Sequence, residues 1–199
     1  MPSEPNPEEM SPRSRRTRQR ILTAARACFE RLGIEATTMM DIAAAASCSR
    51  PIVYKHFRDK ADIVDAVCLE EIQKLQARLA ALLPRGLGFA AQLTELIVQG
   101  AILAHENPYL RNHLADRSAW LRAQTAGQNV HEWVRESWAS FLRRGQQAGA
   151  FARDLDAEEA VNWINMNQSQ LLLRFRDEPI DPERLRRFVR RFVVPPLLA

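Results

Sequence analysis

The densest group of chemically versatile side chains lies between Ser49 and Lys60, in the run SRPIVYKHFRDK. Val53 and Phe57, one helical turn apart, are the apolar pair that would face inward. Arg50, Pro51, Ile52, Tyr54, Lys55 and His56 are left on the other faces, with Ser49 ahead of them. Two cations, a phenol, an imidazole and an apolar side chain suit a DNA groove. Cations meet phosphates or guanine, and an apolar atom meets a thymine methyl. The same residues also fit the ordinary solvated face of a small helical bundle.

Catalytic arrangements are harder to find. The chain has no Gly-rich phosphate loop, no Gly-x-Ser-x-Gly and no His-Glu-x-x-His. Its four histidines are His56, His105, His113 and His131. His105-Glu106 with His113 could in principle hold a metal, but the spacing crosses a Pro-broken loop, and surface or capping roles fit better. The acid pairs Glu70-Glu71 and Glu158-Glu159 read as helix-surface charge. No catalytic residue, metal ligand or cofactor is therefore assigned, and an enzyme has no positive support.

A second group is aromatic. Trp120, Trp133, Trp138 and Trp163 all fall in the later part of the chain. Each one alone fits core or dimer packing. Together they fit a small-molecule site, which in helical proteins is mostly apolar with a few polar groups that fix orientation. Val134 and Phe141 share a helix with Trp133 and Trp138, Ile97 lies on an earlier helix, and Asn167 follows Trp163. These eight residues are the candidate effector site. No clustered Lys, Arg or acid accompanies them, so the expected ligand is neutral and hydrophobic, since buried unpaired charge is costly.

The elements that must position these residues are all helical. Thr38-x-x-Asp41 is a capping-box spacing at the head of a short helix whose Met39, Ile42, Ala43 and Ala46 form one narrow apolar stripe. Ala43 is small enough for a helix to cross closely above it. Ser47-Cys48-Ser49 breaks the pattern, Ser49 can cap the next helix, and Pro51 falls in its first turn. An earlier amphipathic helix carries Ile21, Ala25, Cys28, Phe29 and Leu32 and ends at Gly33. Together these describe a helix-turn-helix unit. Asp59 then opens a helix running to about Leu83, through Ile63, Val67, Ile72, Leu75 and Leu79. Further helices are expected from Phe89 to about His105, Tyr109 to Asp116, Ser118 to Ala123, Gln128 to about Ala148, Asp156 to about Phe175, and Asp181 to Val194. Strand-like alternation is absent from the sequence.

Charge divides along the same line. Of 28 Lys and Arg and 24 Asp and Glu, 11 and 7 lie in residues 1–60, and the remaining 17 of each cancel. A basic unit attached to a neutral one is expected when only the first meets a polyanion. Residues 1–12 read as a disordered tail rich in Pro, Ser and Glu. Residues 13–60 form the DNA-binding domain and 61–199 an effector-binding and dimerisation domain. The run Arg13–Arg20 reads equally as a solvated helix start or as a basic arm reaching DNA. No apolar run approaches the roughly 20 residues of a membrane helix, and no signal peptide is visible, so a cytoplasmic protein without a membrane partner is expected. Three scattered cysteines, Cys28, Cys48 and Cys68, read as reduced thiols.

The run Thr37-Thr38-x-x-x-Ile42-Ala43, then Ser49-x-x-x-Val53-Tyr54-x-His56-Phe57-x-x-Lys60-x-x-Ile63, resembles the DNA-binding domain of the TetR family of bacterial repressors. The upstream Arg20-Ile21-Leu22-x-Ala24-Ala25-x-x-x-Phe29-x-x-x-Gly33 fits as well. One departure is Ser47, where the family usually has Gly in the turn. A positive φ there would cost Ser about 1–2 kcal/mol. The resemblance implies an all-α chain: an N-terminal three-helix helix-turn-helix domain, then a helical ligand-binding and dimerisation domain. It implies double-stranded DNA as partner, with Thr38, Tyr54 and Lys60 at positions that touch phosphates; Arg50, Pro51, Ile52, Lys55 and His56 are the candidates to read bases, and Ser49 is a further DNA-binding candidate. It also implies a homodimer joined through the last two helices, for which Ile164, Leu171, Leu172, Phe188 and Phe192 supply apolar stripes. The function implied is a repressor released by a small effector. A regulator without a ligand, and a helical binding protein or enzyme, are the alternatives.

Overall fold

The computed structural model describes residues 10–84, 86–115, 129–175 and 178–199, with side chains at 112–115 and 129–133 excepted. Among these residues the regular elements are helical, apart from an isolated antiparallel bridge between Phe151 and Leu198. The chain divides into two compact units, the first ending at Val67 and the second beginning at Cys68.

In the first unit, helix α1 (Pro12–Leu32) starts with the Ser11 hydroxyl accepting from the Ser14 amide. Arg13–Arg20 therefore forms the opening turns of a helix and is not an extended arm. The disordered tail expected over residues 1–12 lies almost wholly outside the described residues. What is seen of it, Met10 to Pro12, ends in the cap and first residue of α1. Ile21, Leu22, Ala24, Ala25, Cys28 and Phe29 are buried, whereas Leu32, expected inward, is exposed where the helix runs out at Gly33. Helix α2 (Met39–Ala45) carries the full reciprocal capping box between Thr38 and Asp41. Ile42, Ala43 and Ala46 close over α1, and Met39 is only half-buried. Helix α3 (Arg50–His56) buries Val53, and Phe57 follows at its end. Helix α4 (Lys60–Leu82) contributes Ile63, Ala66 and Val67 to this core.

The turn between α2 and α3 is tight. The Ser47 and Cys48 amides donate to the Ala44 and Ala43 carbonyls at 3.1 and 3.0 Å. Ser47 sits at φ 50°, the one positive φ of a non-glycine residue among those described. The departure from Gly thus falls in the left-handed region, and Ser pays the steric cost of its Cβ there.

The second unit packs the later part of α4, α5 (Phe89–Glu106), α6 (Pro108–Ala115), α7 (Asn129–Gln147), α8 (Ala157–Arg174) and α9 (Pro182–Phe188). Asp156 and Asp181 cap α8 and α9 by accepting amides of the first turn, as their spacing predicts. Leu93, Ile97, Val98, Leu142, Phe151, Ile164, Leu185 and Val189 lie in one continuous core. Gly145 is where α7 meets it: a Cβ there would strike the buried Phe151 ring. The Arg186 guanidinium joins α9 to α5 through Glu95, at 2.5 Å. The last helix is not regular to Val194. After Phe188 it widens into a π-helical turn over Val189–Val193, with the Val194 amide reaching the Val189 carbonyl, and Pro195–Leu197 then tightens into a 3₁₀ turn. The short helix expected at Ser118–Ala123 lies outside the described residues.

Replacing Ser47 by Gly should relieve the left-handed strain of about 1–2 kcal/mol, against about 0.4–1 kcal/mol of added unfolded-chain entropy. A raised urea midpoint, by far-UV circular dichroism, is the expected result; an unchanged or lower midpoint would contradict the strain at the turn.

Candidate functional site

Burial of Val53 and Phe57 turns the rest of α3 outward. Arg50, Pro51, Ile52, Tyr54 and Lys55 are exposed and His56 is half-buried. The Arg50 guanidinium lies 5.9 Å from the centre of the Tyr54 ring, so the two present a joint cation–aromatic surface. Ser49 occupies the N-cap position but its hydroxyl makes no capping bond, which leaves it available to an outside partner. At the other end the Arg18 guanidinium stacks 4.8 Å from the Phe57 ring, clamping α1 to the end of α3. Burial, then the nearby charges of Arg18 and Lys55, push the His56 imidazole below its ordinary 6.5.

Two of the expected phosphate-contacting residues have structural duties. The Thr38 hydroxyl donates to the Asp41 carboxylate at 2.6 Å and accepts the Asp41 amide at 3.2 Å. Those bonds hold the Asp41 carboxyl below its usual value. The Lys60 ammonium donates to the Ile34 and Glu35 carbonyls, both at 2.8 Å, and ties down the loop between α1 and α2. An ammonium has three donors, so one remains for a phosphate. Beside it, Asp62 takes the Arg58 amide and guanidinium in a fork. Burial would raise the Asp62 carboxyl, but Arg58 outweighs it and the carboxyl is held low. The start of α4 is thereby locked to the end of α3.

The second unit holds a cavity of about 370 Å³ between α4, α5, α7 and α8. Val134, Trp138 and Phe141 line it, as expected. Ile97, Trp163 and Asn167 do not. Ile97 is fully buried in the core. The Trp163 indole donates to the Val193 carbonyl at 3.0 Å, and the Asn167 amide donates to the Trp163 carbonyl at 2.8 Å. The helical period explains the miss: Asn165, Gln168, Ser169 and Leu172 recur on one face of α8 and line the cavity, so Trp163 and Asn167 turn away. Trp120 and the Trp133 side chain lie outside the described residues. Sequence reasoning also missed Ile72 and Leu79 of α4, and Leu96 and Gly100 of α5. The signal for α5 was its row of small residues, Gly100, Ala101 and Ala104.

The family of bacterial regulatory proteins of the tetR type matches residues 21–67. The probable HTH-type transcriptional regulator ArpR of Pseudomonas putida is 30% identical over 158 residues, spanning 73% of this chain and 73% of its own. The chain belongs to the TetR family. The HTH-type transcriptional regulator TtgR of Pseudomonas putida is 29% identical over 161 residues, with 73% of each chain covered. The likeness of fold reaches beyond the matched segment: the fatty acid degradation regulator FadR from Bacillus halodurans superposes with a TM-score of 0.64 at 17% identity, over 93% of this chain and 96% of that one. This TetR-family protein is a DNA-binding transcriptional regulator of helix-turn-helix type, and its named relatives are regulators. No helix among the described residues is long and apolar enough to cross a membrane.

Of the dimer residues expected from the family resemblance, Ile164 and Leu172 are closed inside the chain, by the core and at the cavity wall. Leu171 is also buried, at the base of a groove that Phe188 and Phe192 share. The open apolar residues of this region are Met166, Leu173 and Phe192, at 54, 49 and 60% exposure. Met166 and Leu173 stand seven residues apart on α8, and so share one face of that helix.

Because folding disfavours protonated His56, the folded chain binds fewer protons there than the unfolded one, and its contribution to stability is full above pH 6.5 and is lost as pH falls through that value. The His56 ring resonance should titrate below 6.5, and His56→Gln should remove part of the stability loss that sets in as pH falls below 6.5. A titration midpoint above 6.5 would contradict this environment.

Proposed function

We propose that the protein is a homodimeric repressor that binds a two-fold symmetric operator and is released by a small, largely apolar, uncharged effector. The observation that carries the DNA-binding part is the outward face of α3. It joins Ser49, Arg50, Ile52, Tyr54, Lys55 and His56 on a short helix whose other side is locked by Val53 and Phe57. Tyr54, Ser49 and the remaining donor of Lys60 are the proposed phosphate contacts, with Thr38 supporting them as a cap. Arg50, Pro51, Ile52, Lys55 and His56 face the bases. Residues up to about 60 act on DNA and the remainder on effector and partner subunit, in the cytoplasm where the DNA lies.

Dimerisation is proposed through the outer face of α8 and the π-helical turn Val189–Val193, where Met166, Leu173 and Phe192 are uncovered. Arg174, Arg187, Arg190 and Arg191 line the adjoining groove, so the apolar contact must sit centrally with these cations at its rim. Val134, Trp138 and Phe141 belong to the proposed effector site. An effector acts by its differential affinity for two states of the dimer, only one of which has the half-site spacing the operator needs. Helix α4 is a single element that carries Lys60 at one end and Ile72 and Leu79 of the cavity wall further on, which fits it to transmit that preference.

A gel-shift with the DNA upstream of its own gene tests this reading. Tyr54→Phe and Ser49→Ala should weaken binding alike at all sequences, by about 0.5–1.5 kcal/mol each. Arg50→Ala and Lys55→Ala should cost about 1–3 kcal/mol and change the preferred sequence. Phe192→Glu should give a monomer by light scattering and lose the shift. Unchanged affinity and preference in the α3 variants would refute the assignment of that face.

A further inference from the structure

The cavity is lined by apolar side chains from all four of its helices, among them Leu79, Leu96 and Trp138. Its polar groups come from all four helices, with Asn165, Gln168 and Ser169 on α8, and one of them is placed unusually. The Gln168 amide nitrogen lies 3.3 Å from the point where a Cβ of residue 100 would stand, and residue 100 is glycine. Gly100 lies inside α5, well away from either end. A glycine there favours the helix less than alanine would. The position keeps bare backbone, and the room this leaves is taken by the Gln168 amide.

Gln168 shares the cavity face of α8 with the Asn165 amide, but Gln168 is the one seated over a glycine. Asn167 is satisfied by the Trp163 carbonyl, and across the cavity Gln92 donates to the Leu87 carbonyl at 2.5 Å. Among the described residues Gln168 forms no hydrogen bond. An amide facing an apolar cavity without a partner is costly, and it offers both a donor and an acceptor. The only charged residue lining the cavity, among those described, is Arg144. Arg144 is exposed, and its guanidinium donates to the Ser140 hydroxyl at 3.1 Å and lies over the Phe141 ring, so its charge is already engaged. An anion in the cavity would find no other cation among the described lining residues.

We propose that Gln168, seated over Gly100, is the specificity residue of the effector cavity, and that it selects an uncharged apolar molecule bearing a hydroxyl or carbonyl group. This rests on the cavity being the effector site. A hydroxyl satisfies both halves of the amide, a carbonyl satisfies its N–H, and a bare hydrocarbon satisfies neither.

Four probes of similar shape test it: 2-naphthol, 2-acetylnaphthalene, naphthalene and 2-naphthoate. Binding is followed through quenching of tryptophan fluorescence and by calorimetry, on the full chain. In the wild type, naphthol and acetylnaphthalene should bind at least about tenfold more tightly than naphthalene and naphthoate, the scale of one well-made hydrogen bond. Gln168→Met keeps the side-chain length and removes the amide. It should abolish the preference, bringing the two polar probes down to the level of naphthalene. Gly100→Ala, which crowds the amide, should weaken the same two probes first. If the probes bind but Gln168→Met leaves their order unchanged, Gln168 is not the specificity residue, while the cavity stands as the binding site. If naphthoate binds best and loses its affinity in Arg144→Gln, the class of ligand is anionic and the proposal is overturned. If none of the four binds up to about millimolar concentration, a free energy of roughly −4 kcal/mol, the effector-site reading fails with it.

Discussion

The burial of Val53 and Phe57 is the constraint on which the DNA-facing part of the molecule depends. Helix α3 is far shorter than the roughly 12–15 residues at which an isolated helix becomes even marginal in water. It persists because those two side chains are enclosed by the core of the first unit, and because Arg18 closes over Phe57 from α1. Once they are enclosed, the period of the helix leaves no choice about which residues point out. The neighbouring anchors all hold that arrangement in place. The Thr38–Asp41 box starts α2, Ser47 bends the chain into α3, and the Arg58–Asp62 fork with the Lys60 ammonium fixes the start of α4.

Helix α8 shows the opposite situation, one element serving three environments. Ile164 and Leu171 pack into the core, Gln168 and Leu172 face the cavity, and Met166 and Leu173 remain uncovered. A helix with three occupied faces has no single apolar stripe, and its amides are divided between internal bonds, as at Asn167, and the cavity, as at Gln168. In the proposed dimer, a ligand at the cavity face would press on the same helix whose outer face is proposed to meet a second subunit, and this shared helix with the continuous α4 is the proposed route for coupling.

The helix-turn-helix was legible in the sequence because its determinants are local. Thr38-x-x-Asp41, Ser49-Arg50-Pro51 and the one-turn spacing of Val53 and Phe57 each act over a few residues, and even the strain at Ser47 could be anticipated from the turn. The cavity was only half legible. Trp138 and Phe141 were found, since large aromatics stand out, but the same criterion wrongly drew in Trp163, whose indole is used on the Val193 carbonyl. Which helices face one another is decided by contacts distant in sequence. The residues that open the space are small or amide-bearing, Gly100 and Gln168 among them, and they resemble ordinary helix-surface positions until α5 and α8 are brought together. The π-helical turn at Val189–Val193 was illegible for a related reason: nothing in its composition departs from the α-helix that precedes it.

The most direct test of the central claim, that the outer face of α3 enters a DNA groove, is a photo-crosslink from position 52. Ile52 is exposed and makes no contribution to the core, so a benzoylphenylalanine placed there leaves the fold undisturbed. With the DNA upstream of its own gene bound and then irradiated, crosslinks should map to bases at two symmetric positions about one or more helical turns apart, roughly 34–36 Å per turn. DNA that is bound by this variant but gives no crosslink to a base would contradict the claim and move the contact surface off α3.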